Sequence, residues 1–77
     1  MKLLEKEKIG DVEASLYLDK IGYTYKIKAR LKGNKRLETV GRSFVWFSDK
    51  NTARGRMHGE LITITKQLEL FDYIKKD

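Results

Sequence analysis

The fold is decided by residues 12–32, which read VEASLYLDKIGYTYKIKARLK. Apolar or aromatic residues occupy every second position of residues 12–18 and again of residues 23–31, with polar residues between them. Alternation with a period of two is typical of strands that bury one face and expose the other. The DKIG segment between the two stretches, residues 19–22, has the composition of a tight turn. The stretch therefore predicts an antiparallel hairpin with one apolar and one charged face.

A third strand is predicted from Leu37 to Phe47, after a second turn at Gly33-Asn34. Its alternation loses phase near Gly41, which indicates a bulge or bend there. Residues 2–9 are ambiguous between a short edge strand and a frayed lead-in.

Beyond Ser48 the apolar spacing changes to steps of three and four, which is the period of a helix. Ser48 or Asp49 can cap this helix. Since Gly55 and Gly59 each weaken a helix by about 1 kcal/mol relative to Ala, we expect firm helix from near Gly59, with roughly four turns in all.

Together these patterns predict an α+β fold, as one small basic domain over residues 1–77. The sheet is antiparallel, with three strands or, if residues 2–9 pair, four, and one long C-terminal helix packs on one face. The expected core comprises Val12, Ala14, Leu16, Leu18, Tyr23, Tyr25, Ile27, Ala29, Leu31, Leu37, Met57, Leu61, Ile64, Leu68 and Phe71.

Composition limits the class of protein. The chain has 77 residues and no Cys, so neither disulfides nor thiolate metal sites can stabilise its small core, and a homodimer or another partner can add stability. It contains no apolar run of the roughly 20 residues that a membrane helix needs, and its first residues lack the apolar stretch of a signal peptide. We expect a cytoplasmic protein without membrane association or a cofactor.

Positive charge is concentrated in the middle of the chain. Eleven of the seventeen basic residues lie from Lys20 to Arg56, against two acids, Glu38 and Asp49, so this window carries a net charge of +9. Residues 1–19 and 57–77 carry −2 and −1. Clustered Lys and Arg raise the local potential, which favours a polyanionic partner.

Hairpin register predicts where this charge lies. Pairing Leu18 with Tyr23 sets Glu13 opposite Lys28, and the next turn sets Arg30 opposite Glu38. Lys26 then lies beside Arg42 with no acid near it. Lys32, Lys35 and Arg36 at the second turn are likewise expected to lack counter-charges. Ordinary solubilising charge is the competing interpretation of this face.

Two further groups accompany the charge. Tyr17, Phe44 and Trp46 interleave with the basic face, and exposed aromatic rings there would stack on nucleobases; a core position beside the helix start is the other, more common interpretation for Trp46. Lys50, Arg54 and Arg56, with the single His58, surround the helix start, where free N–H groups favour phosphate. A flexible basic loop explains this second group equally well.

An enzyme is not expected. Leu16-Tyr17-Leu18-Asp19 and Arg56-Met57-His58-Gly59-Glu60-Leu61 resemble the first half of ribonuclease H, a family in which a strand Asp and a helix Glu bind metal. The chain ends before the family's remaining carboxylates, and two acids cannot hold two catalytic metal ions. We therefore predict neither catalytic nor metal-binding residues.

The order of three strands and a helix is also similar to HicB-type antitoxins, a partial version of the ribonuclease H core. Gly22-Tyr23 at the start of the second strand and residues 47–53 before the helix carry the likeness. The small sheet likewise resembles the arm-binding domains of phage integrases, which lay their sheet on DNA. These resemblances imply nucleic-acid binding or, for the antitoxins, inhibition of a protein.

The sequence thus predicts a non-catalytic module that binds DNA or RNA through phosphates. The alternative is a small phage-type inhibitor or antitoxin-like protein that neutralises a host enzyme or toxin by direct binding. The residues expected to contact nucleic acid are Lys26, Lys28, Lys32, Lys35, Arg36, Arg42, Lys50, Arg54 and Arg56.

Overall fold

Four antiparallel strands in sequence order are followed by one helix, which covers one side of the sheet. The computed structural model describes residues 1–75. The elements are β1 (Lys2–Ile9), β2 (Val12–Leu18), β3 (Tyr23–Ala29), β4 (Glu38–Arg42) and α1 (Lys50–Leu70). The predicted α+β fold is confirmed, and residues 2–9 supply the fourth strand. Within the described part of the chain, no helix has the length and apolar character that crossing a membrane demands.

The β2–β3 hairpin forms as its alternation predicts. Leu18 pairs with Tyr23 and Glu13 with Lys28. Alternate residues from Val12 to Leu16 and from Tyr25 to Ala29 are buried, and this apolar set fixes the register because a slip of one residue would turn it to solvent. The fully buried members are Val12, Ala14, Leu16, Ile27 and Ala29.

The pairing of β4 with β3 contains a bulge that shifts part of the predicted register. Lys26 pairs with Arg42, as expected, but Ala29 rather than Arg30 lies opposite Glu38. The extra residue is Val40, which stands between the paired residues Thr39 and Gly41. The predicted pair of Arg30 and Glu38 is therefore wrong, and the bend lies one residue before Gly41.

The helix is longer than predicted. It begins at Lys50, and the Asp49 side chain caps it by accepting hydrogen bonds from the backbone N–H and the hydroxyl of Thr52, at 2.8 and 2.9 Å. Its 21 residues make about six turns, so the expectation of firm helix only from Gly59 is wrong. The cap and the burial of Ala53 and Met57 offset the cost of two glycines.

Three residues expected in the core are exposed. Glu5 pairs with Leu16 and contacts Lys50, the first residue of the helix. Leu18 lies two residues further along β2, beyond the start of the helix, and is therefore not covered by it. Leu37 precedes the paired part of β4. Phe71, 67% exposed, is the C-cap of α1 rather than part of its apolar stripe.

A turn after the helix returns the chain to the core. Asp72 takes a left-handed conformation with φ of 62°, and the Tyr73 N–H donates to the Leu68 carbonyl oxygen at 2.8 Å, as in a Schellman motif. Ile74 is thereby buried, and the Lys32 N–H binds the Tyr73 carbonyl oxygen at 2.7 Å. Ile74 and Ala53 are core residues that the sequence patterns missed.

Candidate nucleic-acid interface

The side of the sheet opposite α1, here called the open face, carries its charged side chains in two rows across the strands. The first row consists of Lys6, Ser15, Lys26 and Arg42. The second row consists of Lys8, Glu13, Lys28 and Thr39. Strand spacing makes each row about 14 Å long, and the rows lie about 7 Å apart. Five cations and one carboxylate therefore share a small surface.

The charges on the open face are unevenly compensated. Glu13 lies between Lys8 and Lys28 in the second row and forms an ion pair of 3.4 Å with Lys6. Lys26 and Arg42 are adjacent, and within residues 1–75 neither forms an ion pair. Like charges side by side destabilise a sheet. On the open face, the first row is thus where a bound anion would relieve most repulsion.

Lys6 and Lys8 were missed by the sequence analysis. They join the open face because β1 pairs with β2 and places alternate residues on opposite sides. The alternation of Glu and Lys in residues 5–8 is the signal that could have found them.

The second turn is partly neutralised. Lys32, expected to have no counter-charge, donates from Nζ to Asp72 Oδ1 at 2.6 Å, so that expectation is wrong. The acid comes from the turn after the helix, 40 residues away. Lys35 and Arg36 are exposed, and neither forms an ion pair with another described residue.

The cations at the helix start do not come together as a phosphate clamp. Arg54 forms two hydrogen bonds with Glu5, of 2.9 and 2.8 Å, and Lys50 lies 3.5 Å from the same carboxylate. Hydrogen bonding to Arg54 is the main cause that holds the pKa of Glu5 below its ordinary value. The His58 Nδ1 atom contacts the Glu7 carboxylate. The strand that the sequence left ambiguous, β1, thus supplies the acidic partners of these helix residues.

Two other observations weaken a phosphate site at the helix start. The Asp49 carboxylate already occupies the position that an anion would take, and its hydrogen bonds to Thr52 lower its pKa. Arg56 lies on another flank of α1, in a shallow cleft with Tyr25 and Glu60. Of the predicted residues, the structure brings only Lys26, Lys28 and Arg42 together on one surface.

A short segment after β4, residues 43–47, is called the aromatic loop. Both of its ends are fixed: the Ser43 N–H donates to the Tyr25 carbonyl oxygen at 3.0 Å, and Phe47 exchanges two 2.8 Å backbone hydrogen bonds with Tyr23. The Ser43 hydroxyl also accepts from the Tyr25 N–H at 3.1 Å. The Phe47 ring stacks on Tyr25 with ring centres 6.3 Å apart.

The middle of the aromatic loop projects into solvent. Phe44 is 85% exposed and Trp46 is 47% exposed, which settles the open question of whether Trp46 belongs to the core. The Arg42 guanidinium carbon lies 5.8 Å from the centre of the Phe44 ring, a cation–π distance. A groove of about 320 Å³ between this loop and the open face is lined by Met1, Thr24, Tyr25, Lys26, Arg42, Ser43, Phe44 and Trp46.

The carboxylates of the ribonuclease H resemblance lie in different surroundings. Asp19 stands in the turn after β2, where its side chain accepts from the Lys20 N–H at 2.6 Å. Glu60 lies between the helix and β4, against Gly41. In the part of the chain that the structure describes, no three His, Cys, Asp or Glu side chains are grouped so that they could hold a metal ion.

Comparison of the chain with protein-family models, with curated proteins and with solved structures finds no match.

Proposed function

We propose that this protein is a non-catalytic module that binds nucleic acid by placing the open face against phosphates. The observation that carries the proposal is the pair Lys26 and Arg42, which are adjacent in the first row and without a carboxylate partner among the described residues. Phosphate oxygens are the counter-charge that such a pair accepts, and Arg can bind them with two parallel hydrogen bonds.

The remaining cations differ in how available they are to bind phosphate. Lys6, Lys8 and Lys28 extend the positive surface but share Glu13. Lys35 and Arg36 can lengthen the contact beyond the end of β3. Lys32, Lys50 and Arg54 are engaged by acids of the protein itself, so a phosphate would have to displace those acids. The lack of Cys agrees with a reducing cytoplasm as the place of action.

Titration of DNA and RNA oligomers at two salt concentrations tests the proposal. A plot of the logarithm of the association constant against the logarithm of the salt concentration should have a slope of about −2 if a single strand binds through three phosphates. The reason is that each phosphate contact releases counterions. Tight binding that ignores salt would refute the electrostatic mechanism, and no binding to either polymer would refute the function.

A pair of double reversals identifies the surface. Lys26→Glu with Arg42→Glu should weaken binding by roughly tenfold or more. The matched control, Arg56→Glu with Lys66→Glu, makes the same change in net charge on the helix, away from the open face. Equal losses in the two variants would show that net charge, rather than this face, attracts the ligand.

A second candidate is an inhibitor or antitoxin-like protein that binds an acidic or nucleic-acid-binding enzyme. Exposed apolar side chains at the end of the sheet near the aromatic loop favour it, since such patches often mark protein contacts; they are Met1, Leu3, Leu18, Ile21 and Val45. A pull-down from nuclease-treated lysate separates the two functions. A stoichiometric protein that stays bound favours inhibition, whereas loss of all bound material favours nucleic acid.

A further inference from the structure

We propose that the groove beside the aromatic loop takes an unpaired nucleobase, so that the ligand of the open face is a single strand rather than a duplex. This inference rests on the proposed function and adds the class of nucleic acid to it.

The aromatic loop holds its rings in solvent. Backbone hydrogen bonds at Ser43 and Phe47 tie both ends of the loop to β3, and the Thr24 and Ser43 hydroxyls are 2.6 Å apart. Between these anchors Phe44 and Trp46 remain exposed. Leaving two large rings in water forgoes the free energy of their burial, and a loop whose backbone is anchored at both ends loses little backbone entropy when a flat ligand stacks on its rings.

The side chains around the rings suit a nucleotide. Arg42 lies over Phe44, and Lys26 lines the same groove, so a phosphate bound by this pair would hold its own base next to the aromatic loop. The Thr24 and Ser43 hydroxyls bond to each other, which leaves one hydroxyl hydrogen that can be donated to the polar edge of a base. A lining that combines aromatic faces, hydroxyls and two cations matches a nucleotide better than an aliphatic chain.

A duplex does not suit the groove. Bases in a duplex are stacked on each other, and their faces are covered, whereas every unpaired base offers a face for stacking. The groove volume of about 320 Å³ is at the lower end of the range for small organic ligands. It therefore suits one base and not a base pair within a helix.

Trp46 is the single tryptophan of the chain, so its fluorescence reports on the groove directly. We would titrate the protein with a single-stranded oligothymidine and with a mixed-sequence duplex of equal length at low salt, following both Trp46 emission and anisotropy of the labelled oligomer. We expect the single strand to quench Trp46 and to bind at least about fivefold more tightly. The duplex should leave the emission unchanged.

Two variants locate the effect. Phe44→Ala should lose about fivefold or more in affinity for the single strand while the duplex affinity keeps its value. Val45→Ala is the matched control, because Val45 is exposed in the same loop but has no aromatic face. Equal affinities for both oligomers without quenching, or equal effects of the two variants, would overturn the nucleobase site and leave phosphate binding intact. Absence of binding to either oligomer would overturn both proposals.

Discussion

Gly22 approaches Phe47 so closely that a Cβ atom on residue 22 would lie 2.6 Å from the Phe47 carbonyl oxygen. That oxygen accepts the 2.8 Å hydrogen bond from the Tyr23 N–H, so it cannot move away without loss of the bond. The turn between β2 and β3 and the aromatic loop therefore form one packed unit. The sequence placed Gly22 at the junction between a turn and the second strand. The structure adds this steric role.

Gly22→Ala should lower the free energy of unfolding by about 1–3 kcal/mol, because the added methyl group collides with backbone rather than with a flexible side chain. The change should also shift the emission of Trp46, whose Cβ lies 3.5 Å from the same position. Chemical denaturation followed by Trp46 fluorescence measures both effects. An unchanged midpoint and emission would show that the loop tolerates the methyl group.

Gly55→Ala and Gly59→Ala should each have the opposite effect. Both residues lie within α1, and a Cβ on either meets no atom within 4 Å. Removal of the backbone freedom of glycine should raise the free energy of unfolding by roughly 0.5–1 kcal/mol per site. Thermal melts check this, and a loss of stability would contradict the open surroundings of these two glycines.

Leu61→Ala should lower the free energy of unfolding by about 2–5 kcal/mol, because the Leu61 side chain is fully buried between the helix and the sheet. Leu70→Ala is the matched control: Leu70 lies in the same helix but is exposed, and its truncation should leave the melting temperature nearly unchanged. Similar melting of the Leu61→Ala variant and the wild type would refute this side of the helix as the core.

Glu5→Gln should make the protein less stable at neutral pH, because it removes the ion pair with Arg54. Since the folded-state pKa of Glu5 is lowered, its contribution is present above its ordinary pKa and is lost as the pH falls through the folded value. The difference in stability between wild type and variant should thus stay constant from neutral pH down to the ordinary pKa of a Glu side chain and shrink below it. A difference that does not change at acidic pH would contradict the role of the charge, and in an Arg54→Gln background the difference at neutral pH should be smaller.

Lys35→Glu with Arg36→Glu should weaken nucleic-acid binding without loss of stability, since both side chains are exposed and have no ion pair within the described chain. These residues follow β3 at the end opposite the aromatic loop, so their effect measures how far the ligand extends along the sheet. Anisotropy titrations of this variant and of the Arg56→Glu, Lys66→Glu variant provide the comparison. Full retention of affinity would confine the contact to the first row and its groove.

The hairpin of β2 and β3 was predictable because its information is local. The alternation of residues 12–18 and 23–31 fixes which side is buried, and the short turn fixes the pairing of Leu18 with Tyr23. The adjacency of Lys26 and Arg42 was also predicted correctly, but from a register of the second turn that is wrong by one residue, and the bulge at Val40 restores the pairing. Only the β2–β3 hairpin was therefore determined by its local sequence.

The errors come from contacts between distant parts of the chain. Glu5 and Arg54 are 49 residues apart, and Lys32 and Asp72 are 40 apart. No spacing rule connects such pairs, so cations that looked uncompensated turned out to be paired. The bulge at Val40 differs from these pairs, because the loss of alternation near Gly41 indicated a bulge one residue from its actual position.

The order of the sheet also determines how the chain reaches its native state. Each strand pairs with the strand that precedes it in sequence, so the sheet can grow by successive hairpins, each closing only a short loop. Hairpins of this kind form within microseconds, and the chain has no proline whose isomerisation could delay them. The contacts of Glu5 with Arg54 and of Lys32 with Asp72 close much longer loops. We therefore expect the docking of the helix, rather than the assembly of the sheet, to be the slower step of folding.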